Sequence, residues 1–287
     1  MKPIEIHEIP KELSRDIHSI TFPNQGCTSN VGIIHTTEGK FILKRAKGEL
    51  YRQWLAKEAT LLRLLTKTPL PIPRIYRFIE ENNRDQSWIL MEYIDGNSLG
   101  EVLQHSKSDE ERHNLIYQFG NILRELHQTP CPEELITSKP WLDDMLEQSQ
   151  YNLDHYEVDG TQGLLDELTE NRPKDYKQTL IHGDYTIDNV LVHEGKIVGI
   201  IDWSGGAYGD PRYDAALAIR TQPNAFENDE DKKTFFAGYG ETIVDEVEYI
   251  YFEQGLYEFF RLMKWNKLCF SAFCVMFGCS ALIKNSL

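Results

Sequence analysis

The stretch IHGDYTIDN, residues 181–189, decides the fold of this chain together with IIDW at residues 200–203. An Asp followed five positions later by an Asn can place both side chains on one turn of a loop. The hairpin pattern after it returns a second Asp to the same loop. Phosphoryl transfer needs such a set, because a carboxylate must orient the attacking hydroxyl and oxygen atoms must hold magnesium against a triphosphate. We therefore assign Asp184 as the catalytic base and Asn189 and Asp202 as magnesium ligands.

These residues resemble the motifs of the aminoglycoside phosphotransferase family, which lies within the wider protein-kinase-like fold. That family carries His-Gly-Asp where protein kinases carry His-Arg-Asp, and Ile-Asp-Trp-like residues where they carry Asp-Phe-Gly. Its Asp-Pro-x-x-Asp element is matched here by residues 210–214. The resemblance covers about residues 20–220 and implies an α+β, protein-kinase-like fold of two lobes. A small antiparallel sheet would form the N-terminal lobe, and the C-terminal lobe would be larger and mainly helical.

The first third of the chain is rich in short β-branched and apolar runs. Residues 31–35 and 41–45 flank the turn sequence TTEGK, and residues 74–79 and 87–94 flank a second polar turn. Such pairs predict two β-hairpins. Between them, an apolar stripe at helical spacing predicts a helix that ends before three closely spaced prolines. The stripe consists of Leu55, Leu61, Leu62 and Leu65.

The character of the chain changes after Asp95-Gly96, where helical patterns begin. Ser108 followed by Glu111 is typical of a helix start, and apolar residues then recur at helical spacing. We predict an N-terminal nucleotide-binding lobe at residues 1–94 and a helical catalytic and substrate-binding lobe at residues 98–287. A hinge at about residues 91–97 would join them.

Two residues of the first lobe are expected to hold the phosphates of ATP or GTP. The apolar strand at residues 41–44 ends in Lys44, an arrangement that presents an ammonium group to the α and β phosphates. Glu58, on the following helix, is a suitable partner to keep that ammonium in place. We assign both residues to the nucleotide site.

Residues 90–96 look like the hinge that binds adenine in kinases. The carbonyl of Glu92 would accept a hydrogen bond from the adenine amino group, and the amide of Ile94 would donate one to the ring. The loop that should cover the phosphates contains one glycine where protein kinases have three. The resembling family often has Ser or Thr there, so Thr28 or Ser29 either donates a hydroxyl to a phosphate or belongs to a simple turn.

Other residues near the motif are interpreted as supports. His182 is expected to brace the catalytic loop, and Asp210 and Asp214 to support it from behind. Asp188 should face solvent or substrate, and the aromatic run at residues 249–260 should form core.

Composition limits the partners. The formal net charge of -15 argues against a broad basic face for nucleic acid and is compatible with a cationic small molecule. Residues 1–13 lack the apolar region of a signal peptide, and the apolar stretch at residues 268–283 is shorter than the roughly 20 residues that span a bilayer. We read that stretch as a buried helix. Five cysteines without disulfide or zinc spacing favour free thiols in a reducing cytoplasm, with no membrane partner.

Three classes of function fit a kinase-like site: a small-molecule kinase, a protein kinase and a nucleotide-binding pseudoenzyme. Only seven residues separate Asp202 from Asp210, which leaves no room for the segment on which a peptide substrate rests, and no Ala-Pro-Glu follows. A pseudoenzyme would need none of the four charged or amide groups assigned to the phosphates, base and metal. The small-molecule kinase is therefore favoured.

We predict a magnesium-dependent phosphotransferase that moves the γ-phosphoryl group of ATP or GTP directly to a hydroxyl of an aminoglycoside-type antibiotic. Acidic residues at 131–176 and 227–231, with Glu253 and Glu258, could line a cleft for such a cation. The resemblance also implies alternatives, namely macrolides, which would favour an apolar aromatic groove, and choline, homoserine or methylthioribose. The sequence leaves open which hydroxyl reacts and the oligomeric state.

Overall fold

The computed structural model describes residues 3–13, 16–23, 29–106 and 108–260. Its N-terminal part is built on five strands, which are β1 (Ile17–Thr21), β2 (Asn30–Thr36), β3 (Gly39–Lys47), β4 (Ile75–Glu81) and β5 (Gln86–Glu92). They form one antiparallel sheet in the order β1-β2-β3-β5-β4. Both predicted hairpins are confirmed, whereas β1 was not predicted. Thr28, four of the five cysteines and the predicted C-terminal helix at residues 268–283 lie outside the described residues.

The inner face of this sheet packs against helix α1 (Glu49–Leu65). The leucines of the predicted stripe are all buried, together with Ala59. Successive side chains of a strand point to opposite faces, so Lys44 of β3 faces α1 while Arg45 faces the other way. The alternation therefore separates two adjacent cations onto two sides of one sheet.

The outer face is covered by residues 3–13, which we call the N-terminal strap. Ile4, Ile9 and Leu13 of the strap are buried in a cluster with Leu43 and Trp88 of the sheet. A charged contact lies beside this cluster. The carboxylate of Glu8 accepts a hydrogen bond of 2.8 Å from the buried guanidinium of Arg45, which also donates to Asn30 at 3.2 Å. The strap thus pairs the buried cation that β3 turns away from α1.

The C-terminal part is mainly helical, and its helices are α2 (Leu99–Gln104), α3 (Asp109–Gln128), α4 (Trp141–His155), α5 (Gln162–Glu170), α6 (Pro211–Ala218), α7 (Asp229–Tyr239) and α8 (Glu246–Tyr249). As predicted, Ser108 begins α3, and its hydroxyl accepts a hydrogen bond from the Glu111 amide at 3.2 Å. Short strands run among the helices, namely β6 (Asn97–Ser98), β7 (Thr179–Ile181), β8 (Val190–His193), β9 (Lys196–Ile200) and β10 (Ala207–Gly209). They pair as β6-β8-β9 and β10-β7.

Residues 93–96 carry the chain from the five-stranded sheet to the helical part. One apolar core continues across this connection, because α1 packs against the turn Trp203–Gly205 and its Leu61 lies beside Gly206. The lobe limits at residues 94 and 98 stay a prediction. In the part of the chain that the structure describes, no helix is long and apolar enough to cross a membrane.

Helices α3 and α7 cross at two glycines. A Cβ atom built on Gly120 would lie 2.0 Å from the carbonyl oxygen of Phe235, and one built on Gly238 would lie 2.0 Å from that of Tyr117. Both obstacles are backbone atoms, which a side-chain rotation cannot remove. The two helices can approach this closely only because neither position carries a side chain.

We expect Gly120→Ala to lower the free energy of unfolding by about 3 kcal/mol, since the clash outweighs the better helix propensity of alanine. Urea unfolding measures the change. Gly163→Ala in α5 is the matched control, because its Cβ meets nothing within 4 Å and the substitution should be neutral or stabilising. Equal stability of the two variants would contradict the close packing of α3 on α7.

Candidate active site

The catalytic loop lies between β7 and β8 and brings Asp184 and Asn189 together. The Asn189 side-chain amide donates hydrogen bonds to the Asp184 carboxylate at 3.0 Å and to its backbone carbonyl at 2.8 Å. The hairpin β8-β9 then returns the chain, and the Ile201 amide donates to the Asn189 carbonyl at 2.9 Å. Asp202 therefore follows directly after a residue bonded to the loop. The sequence pattern predicted this convergence.

His182 braces the loop from inside. The imidazole is fully buried, its Nε2 donates to the Ile201 carbonyl at 2.9 Å, and its Nδ1 accepts from the Asp184 amide at 3.2 Å. Burial lowers the pKa of His182 despite the nearby charge of Asp214, so the ring is held neutral. The ring therefore links the backbone at Asp184 to the backbone next to Asp202, and because it is buried it is in a structural position rather than a reactive one.

Asp214 holds the loop from the other side. It lies in the first turn of α6, is completely buried, and accepts hydrogen bonds from the backbone amides of His182 at 2.6 Å and Gly183 at 2.7 Å. His127 of α3 is a third neighbour, with its Nε2 3.3 Å from the carboxylate. A buried carboxylate that accepts several hydrogen bonds fixes the groups that donate them.

The backbone at Gly183 shows why the motif has a glycine at this position. Its φ of +79° lies in the left-handed region, and a Cβ there would stand 2.3 Å from the carbonyl oxygen of Gly205. The catalytic loop and the turn after Asp202 are thus in backbone contact. Any side chain at this position would push the base and the second carboxylate apart.

Lys44 joins the two lobes at this point. Its Nζ lies 2.7 Å from the Glu58 carboxylate and also forms an ion pair with Asp202. Burial opposes the charged form of Lys44, yet the charges of Asp202 and Glu58 raise its pKa above the ordinary value. The ammonium therefore stays charged, which is the state that binds phosphate. The predicted partnership of Lys44 and Glu58 is present in the structure.

Asp202 combines strain with exposure. Its φ of +64° is a conformation that side chains other than glycine rarely adopt, and such residues cluster at functional sites. Burial acts against ionisation of its carboxylate, but the Lys44 ammonium lowers its pKa below the usual range. About half of the side chain is exposed, so the carboxylate can reach a ligand.

The donor set suits magnesium. The Nδ2 atom of Asn189 donates to Asp184, so its Oδ1 is the atom that could serve as a ligand together with the Asp202 carboxylate. Among the described residues, no cluster of three His, Cys, Asp or Glu could hold a metal by itself. Two oxygen ligands completed by phosphate and water are what magnesium usually takes, so the residues fit, and their roles stay predictions.

Tyr257 is the site residue that sequence reasoning missed. Its hydroxyl donates to Asp184 Oδ1 at 3.1 Å from the turn Leu256–Phe259. The aromatic run around it was assigned to the core, where Tyr251, Phe252 and Phe259 are buried, whereas Tyr257 is only partly buried against that core. The only signal was a phenol hydroxyl that needs a partner, and its partner lies 73 residues earlier.

The base itself titrates near neutrality. Burial raises the pKa of Asp184 to about 7 and the charge of Asp202 adds to the rise, whereas hydrogen bonds from Tyr257 and Asn189 oppose it. A carboxylate in this range can take up a proton from a hydroxyl and release it again.

The predicted adenine contacts lie at the end of β5. Glu92 is the last residue of that strand, and its amide donates to the Arg74 carbonyl at 2.8 Å. Ile94 follows in the connection, so the strand ends two residues before the predicted limit. Ser29 directly precedes β2, while Thr28 lies outside the described residues. The nucleotide roles of all four residues stay predictions.

Several known proteins are similar in sequence to this chain. A model of the phosphotransferase enzyme family matches residues 19–249. Aminoglycoside 3'-phosphotransferase of Streptomyces fradiae is 29% identical over 230 residues, covering 72% of this chain and 80% of that protein. The Escherichia coli protein of the same name is 25% identical over 224 residues, covering 71% and 79%.

The solved GDP complex of wild-type aminoglycoside 2'-phosphotransferase-IIIa has a TM-score of 0.64 at 20% identity and covers 93% of this chain and 92% of that one. At that identity the likeness concerns the fold alone. It confirms the predicted α+β, protein-kinase-like architecture of two lobes.

We expect Asp214→Asn to destabilise the protein by about 3 kcal/mol, because an amide group then faces a buried backbone donor. Turnover should fall with it, since His182 and Gly183 lose their anchor. Urea unfolding and steady-state kinetics measure both effects. Asp175→Asn, at an exposed position, should change stability by less than about 0.5 kcal/mol. Identical behaviour of the two variants would show that Asp214 does not anchor the loop.

Proposed function

The chain belongs to the phosphotransferase enzyme family, that of the aminoglycoside phosphotransferases, and we propose that it moves the γ-phosphoryl group of ATP or GTP to a hydroxyl of a cationic, aminoglycoside-type acceptor. Transfer to an alcohol group follows from the family. The nucleotide, the metal and the acceptor class are the proposal. Since the donor nucleotide is held inside cells, we propose a cytoplasmic location.

One observation carries the proposal: the groups that phosphoryl transfer requires converge from distant parts of the chain. Asp184 and Asn189 are hydrogen bonded at 3.0 Å, and Asp202 contacts Lys44 across 158 residues of sequence. Lys44 in turn is paired with Glu58. Groups suited to act as a base, as two metal ligands and as a phosphate-binding cation thus belong to one connected set of contacts, which supports the proposal.

Magnesium would be held by Asn189 Oδ1 and the Asp202 carboxylate. When bound, the ion neutralises charge on the phosphates and fixes their orientation. Because Asp202 also pairs with Lys44, the same carboxylate serves the cation of the protein and the cation of the nucleotide.

The residues of the chain divide the reaction between them. Asp184 accepts the proton of the acceptor hydroxyl as its oxygen forms a bond to the γ phosphorus, and the bond from that phosphorus to the β-phosphate oxygen breaks to release the nucleoside diphosphate. Lys44 offsets charge on the α and β phosphates. No covalent phosphoenzyme is required, since positioning and charge neutralisation account for catalysis of this kind.

Charge near the base supports a cationic acceptor. Asp188 is exposed in the same loop, and its pKa is raised by burial, lowered by Arg220 and raised further by Glu101. Glu253 lies 3.8 Å from Arg220, so the carboxylates of this region outnumber its guanidinium. Asp231, one of the acids expected to line the cleft, is instead buried and paired with Arg112. Asp231 is therefore removed from the acids that could line the cleft, and the role of the others stays a prediction.

We expect Asp184→Ala to lower kcat by about 10²- to 10⁴-fold while nucleotide affinity is kept, because the base acts on the acceptor. Asp202→Ala should also weaken nucleotide binding in the presence of magnesium, by about tenfold or more. Steady-state kinetics and calorimetry separate the two effects. Asp175→Ala is the exposed control. Full activity of both variants would remove Asp184 and Asp202 from the site.

A coupled nucleotide-consumption assay tests the acceptor class, with magnesium and ATP or GTP, and Asp184→Ala as the blank. The panel holds kanamycin, gentamicin, a macrolide, choline, homoserine and methylthioribose. We expect consumption with an aminoglycoside, and a KM for it that rises as salt is increased from about 0.05 to 0.5 M, because screening weakens the attraction of a polycation. Stimulation by another compound class alone, or an aminoglycoside KM insensitive to salt, would contradict the proposal.

A further inference from the structure

Both oxygen atoms of the Asp184 carboxylate already accept a hydrogen bond. Oδ2 takes one from the Asn189 amide at 3.0 Å, and Oδ1 takes one from the Tyr257 hydroxyl at 3.1 Å. The first bond belongs to the rigid loop, which is tied to Ile201 and to Asp214. The second comes from a side chain far away in sequence. Oδ2 is therefore bonded within the catalytic loop, whereas Oδ1 is bonded to a separate segment of the chain.

The oxygen bonded to Tyr257 is the one that an acceptor needs. A hydroxyl about to attack must donate its proton to the base. The bond at Oδ2 comes from Asn189 of the same loop, whose other side-chain atom is assigned to magnesium, whereas the bond at Oδ1 comes from a side chain of a separate segment. The bond at Oδ1 is therefore the one that an acceptor hydroxyl can replace without disturbing the loop. In the acceptor-free protein, the phenol hydroxyl of Tyr257 makes the same bond, with the same polarity, that the hydroxyl of an acceptor must make.

The backbone around Tyr257 is anchored while its ring is not fully enclosed. The Glu258 carbonyl accepts from the Gly160 amide at 3.2 Å, and the Phe259 carbonyl accepts from the Asn152 side chain of α4 at 3.0 Å. Leu256 and Phe259, on either side, are completely buried. The Tyr257 ring is only partly buried, with the Arg220 guanidinium 5.6 Å from its centroid. Release of Asp184 would thus require a rotation of the Tyr257 side chain, with the anchored backbone staying in place.

We propose that Tyr257 is a placeholder for the acceptor hydroxyl, which occupies Asp184 Oδ1 until an acceptor displaces it and so makes the enzyme select its acceptor over water. The inference rests on the proposed role of Asp184 as the base. Without an occupant, a water molecule at Oδ1 could attack the γ phosphorus and pass its proton to Asp184. The bond to the β-phosphate oxygen would break, giving inorganic phosphate and nucleoside diphosphate.

A purely orienting Tyr257 would behave differently. A carboxylate oxygen has two lone pairs, so the phenol could stay in place and hold Asp184 while the acceptor binds beside it. Loss of the hydroxyl would then make Asp184 a less well oriented base, whether water or an acceptor hydroxyl is the nucleophile. Hydrolysis by water and transfer to an acceptor would fall together, whereas loss of a placeholder raises hydrolysis.

The deciding experiment measures phosphate release from ATP and magnesium without any acceptor, for the wild-type protein and Tyr257→Phe. The phenylalanine keeps the ring beside Arg220 and removes the hydroxyl. We expect acceptor-free hydrolysis to rise roughly five- to tenfold, which corresponds to the loss of one hydrogen bond that excludes water. Nucleotide affinity, measured by calorimetry, should not change. Hydrolysis that is unchanged or reduced in Tyr257→Phe overturns the placeholder.

Tyr251→Phe is the matched control. Its hydroxyl donates to the Leu168 carbonyl at 3.0 Å in the same segment, so the substitution removes an equivalent hydrogen bond away from Asp184. We expect its hydrolysis to equal that of the wild type. A rise in both variants would assign the effect to loosening of the segment and overturn the placeholder. Tyr257→Leu, which also lacks the hydroxyl, should show the rise if Tyr257→Phe does.

The result is separable from the acceptor assignment, because the deciding measurement contains no acceptor. If no compound of the panel stimulates turnover while Tyr257→Phe still hydrolyses ATP faster, the acceptor class is wrong and the placeholder stands. If kanamycin stimulates turnover and hydrolysis is the same in both proteins, the placeholder is wrong and the acceptor class stands.

Discussion

The buried ammonium of Lys44 is the group on which the rest of the site depends. It is supplied by β3, paired with Glu58 on α1, and paired again with Asp202 at the end of β9. A buried charge that loses its partner costs several kcal/mol, so these three elements cannot separate without a large penalty. The ion pairs of the predicted phosphate-binding lysine therefore also hold the sheet and the helical part together.

Around that contact, the protein restrains its reactive groups through the backbone. His182 and Asp214 bond to amides and carbonyls of the catalytic loop, and Gly183 lets the loop touch the turn after Asp202. The side chains of the loop are thus held in position by residues that are not themselves assigned to the nucleotide or to the acceptor. Rigid support of this kind is what a reaction driven by positioning requires.

Features that depend on residues close together in sequence could be predicted, and features that depend on distant residues could not. The two hairpins, α1 and the start of α3 depend on periodicity, caps and neighbours within about one turn or one strand, so they were predicted. The pairing of Lys44 with Glu58, 14 residues apart, was predicted from the kinase-like order of a strand lysine and a helix glutamate. The contact of Asp184 with Asn189 was predicted because five residues and a hairpin determine it. The strap, β1 and Tyr257 were not, because their partners are chosen by tertiary packing. Asp231 shows the same limit, since an acidic residue on an acidic helix gives no sign that it is buried.

The N-terminal strap has a consequence for the order of folding. Its apolar residues precede the sheet in the chain, yet they pack on Leu43 and on Trp88 of β5, which is synthesised much later than the strap. Closing so long a loop costs entropy that only the completed sheet can offset. The strap must therefore wait as an extended apolar segment during synthesis and close last over the outer face. Until it closes, the hydrogen bond between Arg45 and Glu8 is not formed, and the apolar outer face of the nascent sheet is exposed to chaperones and to other chains.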